Sequence, residues 1–198
     1  NFDREFPILL GEIWTTMHDN GENIQETVHT DYNPDYFTLN GRVYPQTLLP
    51  NGDPSLPNQP ISSLIQVNAG DRGLLRLANL GYEQHAMQLP GIAMRVVGQD
   101  ATLLRSFTTG ADLSYLTNTL YIGPGEARDV MFTAPAFNAG NESGTDSVGT
   151  YNKYLFHNRS ARKLANPGGS SLGGMATEVR VYPAGTLTAQ TEAGQTYE

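Results

Sequence analysis

His18, His29, His85 and His157 are the four histidines of this chain, and it has no cysteine. Together these facts bound the chemistry open to it. Without cysteine there is no disulfide, thiolate metal site, Fe–S cluster or cysteine nucleophile. The thiolate that a blue copper centre requires is absent as well. No two histidines stand as His-x-His. His18 and His29 lie in an acidic stretch with Asp19, Glu22, Glu26 and Asp31. Such a set could ligate a divalent ion, but surface loops carry the same residue types routinely. No nucleophile elbow supports a Ser/His/Asp hydrolase site. Gly168-Gly169-Ser170-Ser171 lacks the preceding strand and following helix of a phosphate-binding loop. Asn141 and Asn158 head Asn-x-Ser sequons, which act as acceptors only in a source that glycosylates.

The elements that must position these residues are short. Residues 6–14 are apolar and rich in strand formers and read as a buried first strand; residues 15–35 follow as a polar loop with no sustained period. Asn40-Gly41 between strand-like runs predicts a tight turn. Pro50, Pro54 and Pro57 punctuate a loop over residues 45–60. Strand-like segments follow at 63–67, 74–79, 85–89, 94–97, 119–122, 128–133, 151–157 and 177–182. Residues 105–117 and 134–149 are long polar or Gly/Asn/Ser-rich excursions. About ten strands and no amphipathic helix predict an all-β fold, a sandwich of two antiparallel sheets with Greek-key connections. There is no internal repeat.

With 198 residues, 21 Gly, 12 Pro and 38% apolar content, the chain is one domain, expected over residues 1–183, followed by a C-terminal linker or tail over 184–198. The net charge of −8 and pI near 4.9 argue against a nucleic-acid partner, which needs a basic patch. No apolar run is long enough for a membrane span. With no starting Met and no signal peptide, the chain is expected to be a processed or excised piece.

Five fragments, in order, resemble the multicopper oxidases. Asp3-Arg4-Glu5 with a strand ending at Trp14 resembles the opening of the middle domain of three-domain, laccase-like members. The Phe37 to Tyr44 pair resembles their Phe-x-Leu-Asn-Gly segment, Gly70 to Gly81 their Gly-Asp/Glu-x-x-x-x-Arg-Leu-x-Asn segment, and Met94 to Leu104 their Val-x-x-x-Asp segment. Thr119-Leu120-Tyr121-Ile122-Gly123-Pro124-Gly125-Glu126-Ala127-Arg128-Asp129-Val130 resembles Leu-x-Ile-x-Pro-Gly-Glu-Arg-x-Asp-Val and is the most diagnostic.

The resemblance implies a cupredoxin-like fold and also shows what has gone missing. Where copper-binding members read His-x-x-His-x-His-Gly, only His85 and Gly91 keep their places, and Gln88 and Pro90 take the other two. Where they read His-Cys-His, this chain has His157-Asn158-Arg159. Of the blue copper ligands, His85 and the axial Met175 are retained, Asn158 stands for the cysteine and Lys163 for the second histidine. Alternation along a strand turns His157 away from Asn158 and from any site His85 could share. His85, Met175 and His157 are therefore remnant candidates, with structural roles expected and no cofactor in this chain. Asp71, Glu126 and Asp129 are expected to be solvated or paired with Arg72 or Arg128 rather than catalytic.

What the resemblance implies of function is a copper-free domain or fragment that spaces copper-bearing domains. The parent would couple one-electron substrate oxidation to reduction of dioxygen to water, outside the cytoplasm, with copper in its other domains. Partners are then other cupredoxin domains of the same or a companion chain, or a second copy through self-association. The docking surfaces are expected on residues 45–60 and 105–117, which carry Leu48, Leu49, Leu56, Phe107, Leu113, Tyr115 and Leu116. The alternative is a stand-alone binding or structural module without oxidase activity.

Overall fold

The first strand, β1 (Arg4–Ile13), alternates Phe6, Ile8 and Leu10 inward with the exposed Leu9 between them. That is the period of a strand with one face on a core. In the computed structural model, which describes residues 1–198, β1 lies between β2 (Tyr36–Leu39) and β4 (Arg72–Asn79). The sheet continues through β10 (Ala127–Thr133) and β6 (Met94–Gln99) to two short edge strands on β6, β7 (Thr102–Leu103) and β8 (Tyr115–Thr117). The second sheet runs in the order β3 (Ile65–Asn68), β13 (Ala176–Tyr182), β12 (Thr150–Asn158), β5 (His85–Gln88) and β9 (Thr119–Ile122), with β11 (Ser143–Thr145) paired to β12. Leu75, Leu77, Val130 and Phe132 of the first sheet share one apolar core with Val67, Ile122, Phe156 and Val179 of the second. Each such side chain contributes roughly 1.5–3 kcal/mol by burial.

The sequence predicts two antiparallel sheets, but the sandwich is not purely antiparallel. β1 pairs parallel with β4, and β13 parallel with β3. Parallel partners need a long crossover, and apolar alternation within a strand carries no record of its direction. Residues 15–35, expected as loop, contain a short helix, α1 (Thr15–Glu22), with no buried residue. It has no apolar stripe for periodicity to find.

Asn40 and Gly41 form the expected turn, both at positive φ (53° and 77°). The Asn40 side chain then continues the pairing beyond β2, accepting from Leu9 N–H at 2.7 Å and donating to the Pro7 carbonyl at 3.0 Å. The loop over residues 45–60 is drawn in by the buried Arg42, which donates to the carbonyls of Leu49 (2.6 Å), Gln59 (2.9 Å) and Pro50 (3.2 Å). Leu48, Leu49 and Leu56 are accordingly half-buried. Residues 184–198 also lie against the domain. Leu187 is buried with Tyr151 and Tyr182, and Gln190 both accepts from and donates to the Glu5 backbone (2.6 and 3.0 Å). Amide side chains make most of this adhesion, which the low hydropathy of the segment does not foretell.

Candidate functional site

β5 opens with His85, and two residues on Met87 faces the same way; both are fully buried. Antiparallel pairing sets Asn158, the last residue of β12, opposite Met87. A 3-10 turn, Ala161–Leu164, then brings Lys163 back into the interior. The chain returns to Met175, whose N–H donates to the Lys163 carbonyl at 2.8 Å and whose carbonyl accepts from Asn158 N–H at 3.0 Å. Gly174 makes this closure possible. It sits at φ +57°, and a Cβ there would stand 2.3 Å from the Lys163 carbonyl oxygen.

The Lys163 ammonium donates to the Gln84 carbonyl (2.7 Å), Glu83 Oε2 (2.8 Å) and His85 Nδ1 (3.3 Å), with the Phe37 ring centre 5.3 Å away. All three of its protons have acceptors. Asn158 Oδ1 accepts from Ser160 N–H at 2.9 Å. Its amide nitrogen therefore faces His85 Nδ1 (3.2 Å), Met175 Sδ (3.4 Å) and Met87 Sδ (3.7 Å). Two donors converge on Nδ1, so it accepts, and the ring proton is on Nε2. Nε2 lies 3.1 Å from Glu12 Oε1, yet no partner meets the geometry of a well-aligned hydrogen bond. We read this as a bent contact that keeps most of its electrostatic attraction and less of its directional strength.

Glu12 reaches the cluster from the opposite sheet, its side chain fully enclosed. It accepts from the N–H groups of Tyr82 and Glu83, both at 2.9 Å, and from the Tyr32 hydroxyl at 3.4 Å. Gly81 permits that approach, since a Cβ there would fall 1.7 Å from a Glu12 carboxylate oxygen. Burial pushes the Glu12 carboxyl up, but the His85 contact and the two amides outweigh it and hold the pKa below the usual carboxylate value. Burial, then the neighbouring Glu12 charge, pushes the Tyr32 phenol up to about 12. For Glu83, burial again pushes upward, but Lys163 and then Arg162, 3.0 Å away, hold it low.

Copper does not fit this donor set. Blue copper takes two imidazoles, a thiolate and a weak axial thioether, whereas here an amide and an ammonium hold two of the four corners. Two unit charges of like sign 4 Å apart repel by about 4 kcal/mol at an effective dielectric near 20, and a divalent ion doubles that. No group of three or more His, Cys, Asp or Glu side chains is placed to hold a metal ion.

The fold thus gathers His85 and Met175 with Asn158 and Lys163. His157 stays outside, its Nδ1 2.7 Å from the Asn158 carbonyl. His18 is exposed on α1, and His29 lines a surface hollow with Met17, Tyr32 and Tyr82. Asp71 pairs with Arg4 at 2.5 Å rather than with Arg72, because Arg4 lies on the inward face of β1 while Arg72 faces Asp3. Glu126 does pair with Arg128, at 2.8 Å, and Asp129 lies 3.7 Å from Arg76. Sequence reasoning passed over Glu83, and it passed over Glu12 as well. For Glu12 the signal was present, since Phe6, Ile8 and Leu10 put Glu12 next on the inward face, where an acid is out of place.

A two-sheet sandwich with this cluster across one end of it is a cupredoxin-like domain. The chain belongs to the multicopper oxidase family, whose profile residues 4–141 match. Laccase-12 of Arabidopsis thaliana is 29% identical over 136 residues, which is 67% of this chain but 21% of that laccase. The blue copper oxidase of Nitrosomonas europaea aligns with a TM-score of 0.62 at 20% identity, over 90% of this chain and 43% of its own. The multicopper oxidase mgLAC gives 0.61 at 19% identity, over 94% and 45%. At these identities the structural likeness speaks to fold. No helix is long and apolar enough to cross a membrane.

Proposed function

We propose that this chain is the copper-free, middle-type domain of a multicopper oxidase, and that it holds copper-bearing cupredoxin domains in register. The observation that carries this reading is the filling of the ligand positions by Asn158 and Lys163, whose amide nitrogen and ammonium both donate toward His85 Nδ1. A domain of this family so built contributes surface and position rather than redox chemistry. In the parent, electrons would pass singly from a reducing substrate to copper, and dioxygen would be reduced to water, in the neighbouring domains. The same reading puts the parent outside the cytoplasm, in the periplasm or secreted.

The docking surface we assign is the β6 edge of the first sheet. Leu103, Phe107, Leu113, Tyr115 and Leu116 are exposed there, Phe107 at 95%, in a patch of the kind that marks an interaction site. Its occupant is a neighbouring cupredoxin domain, since the chain spans only 21% of the laccase and under half of either oxidase it resembles. In the isolated chain, self-association would cover the same patch. The test is Phe107→Asp with Leu116→Asp, both in the isolated chain and in the full gene product. Sedimentation should show weakened association, and the full protein should lose oxidase activity, with the melting temperature of the isolated chain unchanged. A wild-type chain that stays monomeric at high concentration and binds no neighbouring domain of its gene product would remove the scaffold role.

A further inference from the structure

The ammonium of Lys163 is coordinated through all three of its protons. Its three protons go to a backbone carbonyl, a carboxylate and an imidazole nitrogen, and an aromatic face lies beside it. Two oxygens, one nitrogen and a ring form a cation site, and Lys163 is 6% exposed. The acceptors come from the β5 approach and from His85 itself, while Glu12 holds the far side of the imidazole from the other sheet. The cation therefore joins the 3-10 turn after β12 to β5 and, through one imidazole, to β1.

We propose that the Lys163 ammonium is this domain's built-in replacement for a metal ion. It supplies the positive charge that the cluster of Glu12, His85 and Glu83 is built around, and it closes the position to copper by occupying His85 Nδ1. What excludes copper is charge and occupancy, and the frame itself remains competent. The Asn158 amide nitrogen stands 3.2 Å from His85 Nδ1 and 3.4 Å from Met175 Sδ. Two ligands of one tetrahedral metal, each bonded at about 2.0–2.3 Å, take separations of that order. Exchanging the amide for a thiol and the ammonium for an imidazole should therefore turn an internal cation site into a metal site, with residues 158 and 163 drawn inward to make up for their shorter side chains. This is independent of the docking role, because it concerns the interior of the isolated chain.

The experiment is to give copper(II) to the wild-type chain, to Asn158→Cys, to Lys163→His and to the double variant, dialyse, and measure metal by elemental analysis and visible absorption. The double variant should retain one copper per chain with an intense thiolate-to-copper band, and the wild type should retain none. A double variant that keeps the wild-type circular dichroism and cooperative melting but holds no copper would overturn the proposal. So would a wild-type chain that keeps one copper and loses it on His85→Ala. Nitrogen NMR of the wild-type imidazole gives a second reading that survives a double variant unable to fold. His85 should be the Nε2–H tautomer, and Lys163→Met should change the Nδ1 signal while lowering the melting temperature by about 5–10 °C. An Nδ1–H tautomer in the wild type, or a Lys163→Met chain with unchanged melting and unchanged signal, counts against the replacement.

Discussion

β1 carries a charge at each end of the face it turns to the core, Arg4 and Glu12, with Phe6, Ile8 and Leu10 between them. Eight residues of strand separate the two by roughly 26 Å. At the Arg4 end every hydrogen-bonding group meets a fixed partner: Asp71 at 2.5 Å, the Tyr197 hydroxyl at 2.6 Å and the carbonyls of Thr188 and Leu187 at 2.9 and 3.4 Å. The Tyr197 ring also lies 5.2 Å from the guanidinium carbon. At the Glu12 end the partners are two backbone amides, a phenol and an imidazole that is itself held by a second charge. The first end is a fastener, tying the start of the chain to its last residues. The second keeps a bent contact and an exchangeable cation, so the same strand ends in a joint at one side and in a site that substitution can convert at the other.

If the Arg4 end is a fastener, breaking it should cost the most. Arg4→Met would strand Asp71, whose side chain is only 20% exposed, and loosen the segment after Pro183 at Leu187, Thr188 and Tyr197. We expect a loss of about 3 kcal/mol in urea unfolding, with the tail newly open to limited proteolysis. Arg72→Met, which breaks the exposed pair with Asp3, is the control and should stay within about 0.5 kcal/mol. Equal costs for the two would erase the distinction between a buried joint and a surface pair.

At the Glu12 end the fit is steric as well as electrostatic. Gly81→Ala puts a methyl group against the Glu12 carboxylate and should cost about 2 kcal/mol through overpacking. In a Glu12→Ala background the same change should cost far less, leaving a coupling of at least about 1 kcal/mol between the two positions. Additive losses would mean that the loop carrying Tyr82 and Glu83 is positioned by something other than the carboxylate. Asn79 is the candidate, since its side chain bonds the Glu83 carbonyl at 2.8 Å and the Gly81 N–H at 3.0 Å.

Most strands are legible because period-two burial is a local property: the strand expected over 119–122 is β9 itself, and those expected over 74–79 and 177–182 differ from β4 and β13 by at most two residues at either end. Parallel pairing was not legible, since it depends on crossovers that leave no mark in either strand. The edge strands β7 and β8 have little burial pattern to read: both residues of β7 are exposed, and β8 leaves only Thr117 partly covered. Within the site, the family pattern put His85, Asn158, Lys163 and Met175 at matching positions, and the fold does bring them together. Alone, however, the pattern cannot say that a lysine there reaches back to Glu83 and His85. That follows from the 3-10 turn and from the glycine after it. Arg4 and Glu12 share the inward parity of Phe6, Ile8 and Leu10, and reading them as charges on a core face would have revealed both ends of β1.

The smallest expected effect separates the two ends by pH. Glu12 and Glu83 both have folded pKa values held below the ordinary 4.5, so their unfolded forms take up protons first as the solution is acidified. Their contribution is then fully present above pH 4.5 and is lost as pH falls toward the lowered folded values, at no more than about 1.4 kcal/mol per pH unit for each group. Urea midpoints measured downward from pH 6 should decline for the wild type. The decline should be shallower in Glu12→Gln and in Glu83→Gln, even though both variants start lower at neutral pH. Arg4→Met should start lower still but keep the part of the slope that Glu12 and Glu83 contribute, because it leaves those two carboxylates and their partners in place. Exposed carboxylates elsewhere, such as Asp112 and Glu126, titrate alike in all four proteins and cancel in the comparison. Parallel slopes across the whole set would show that the buried carboxylates of the Glu12 end gain nothing from the imidazole and ammonium beside them, and the contrast between the two ends of β1 would then be one of shape alone.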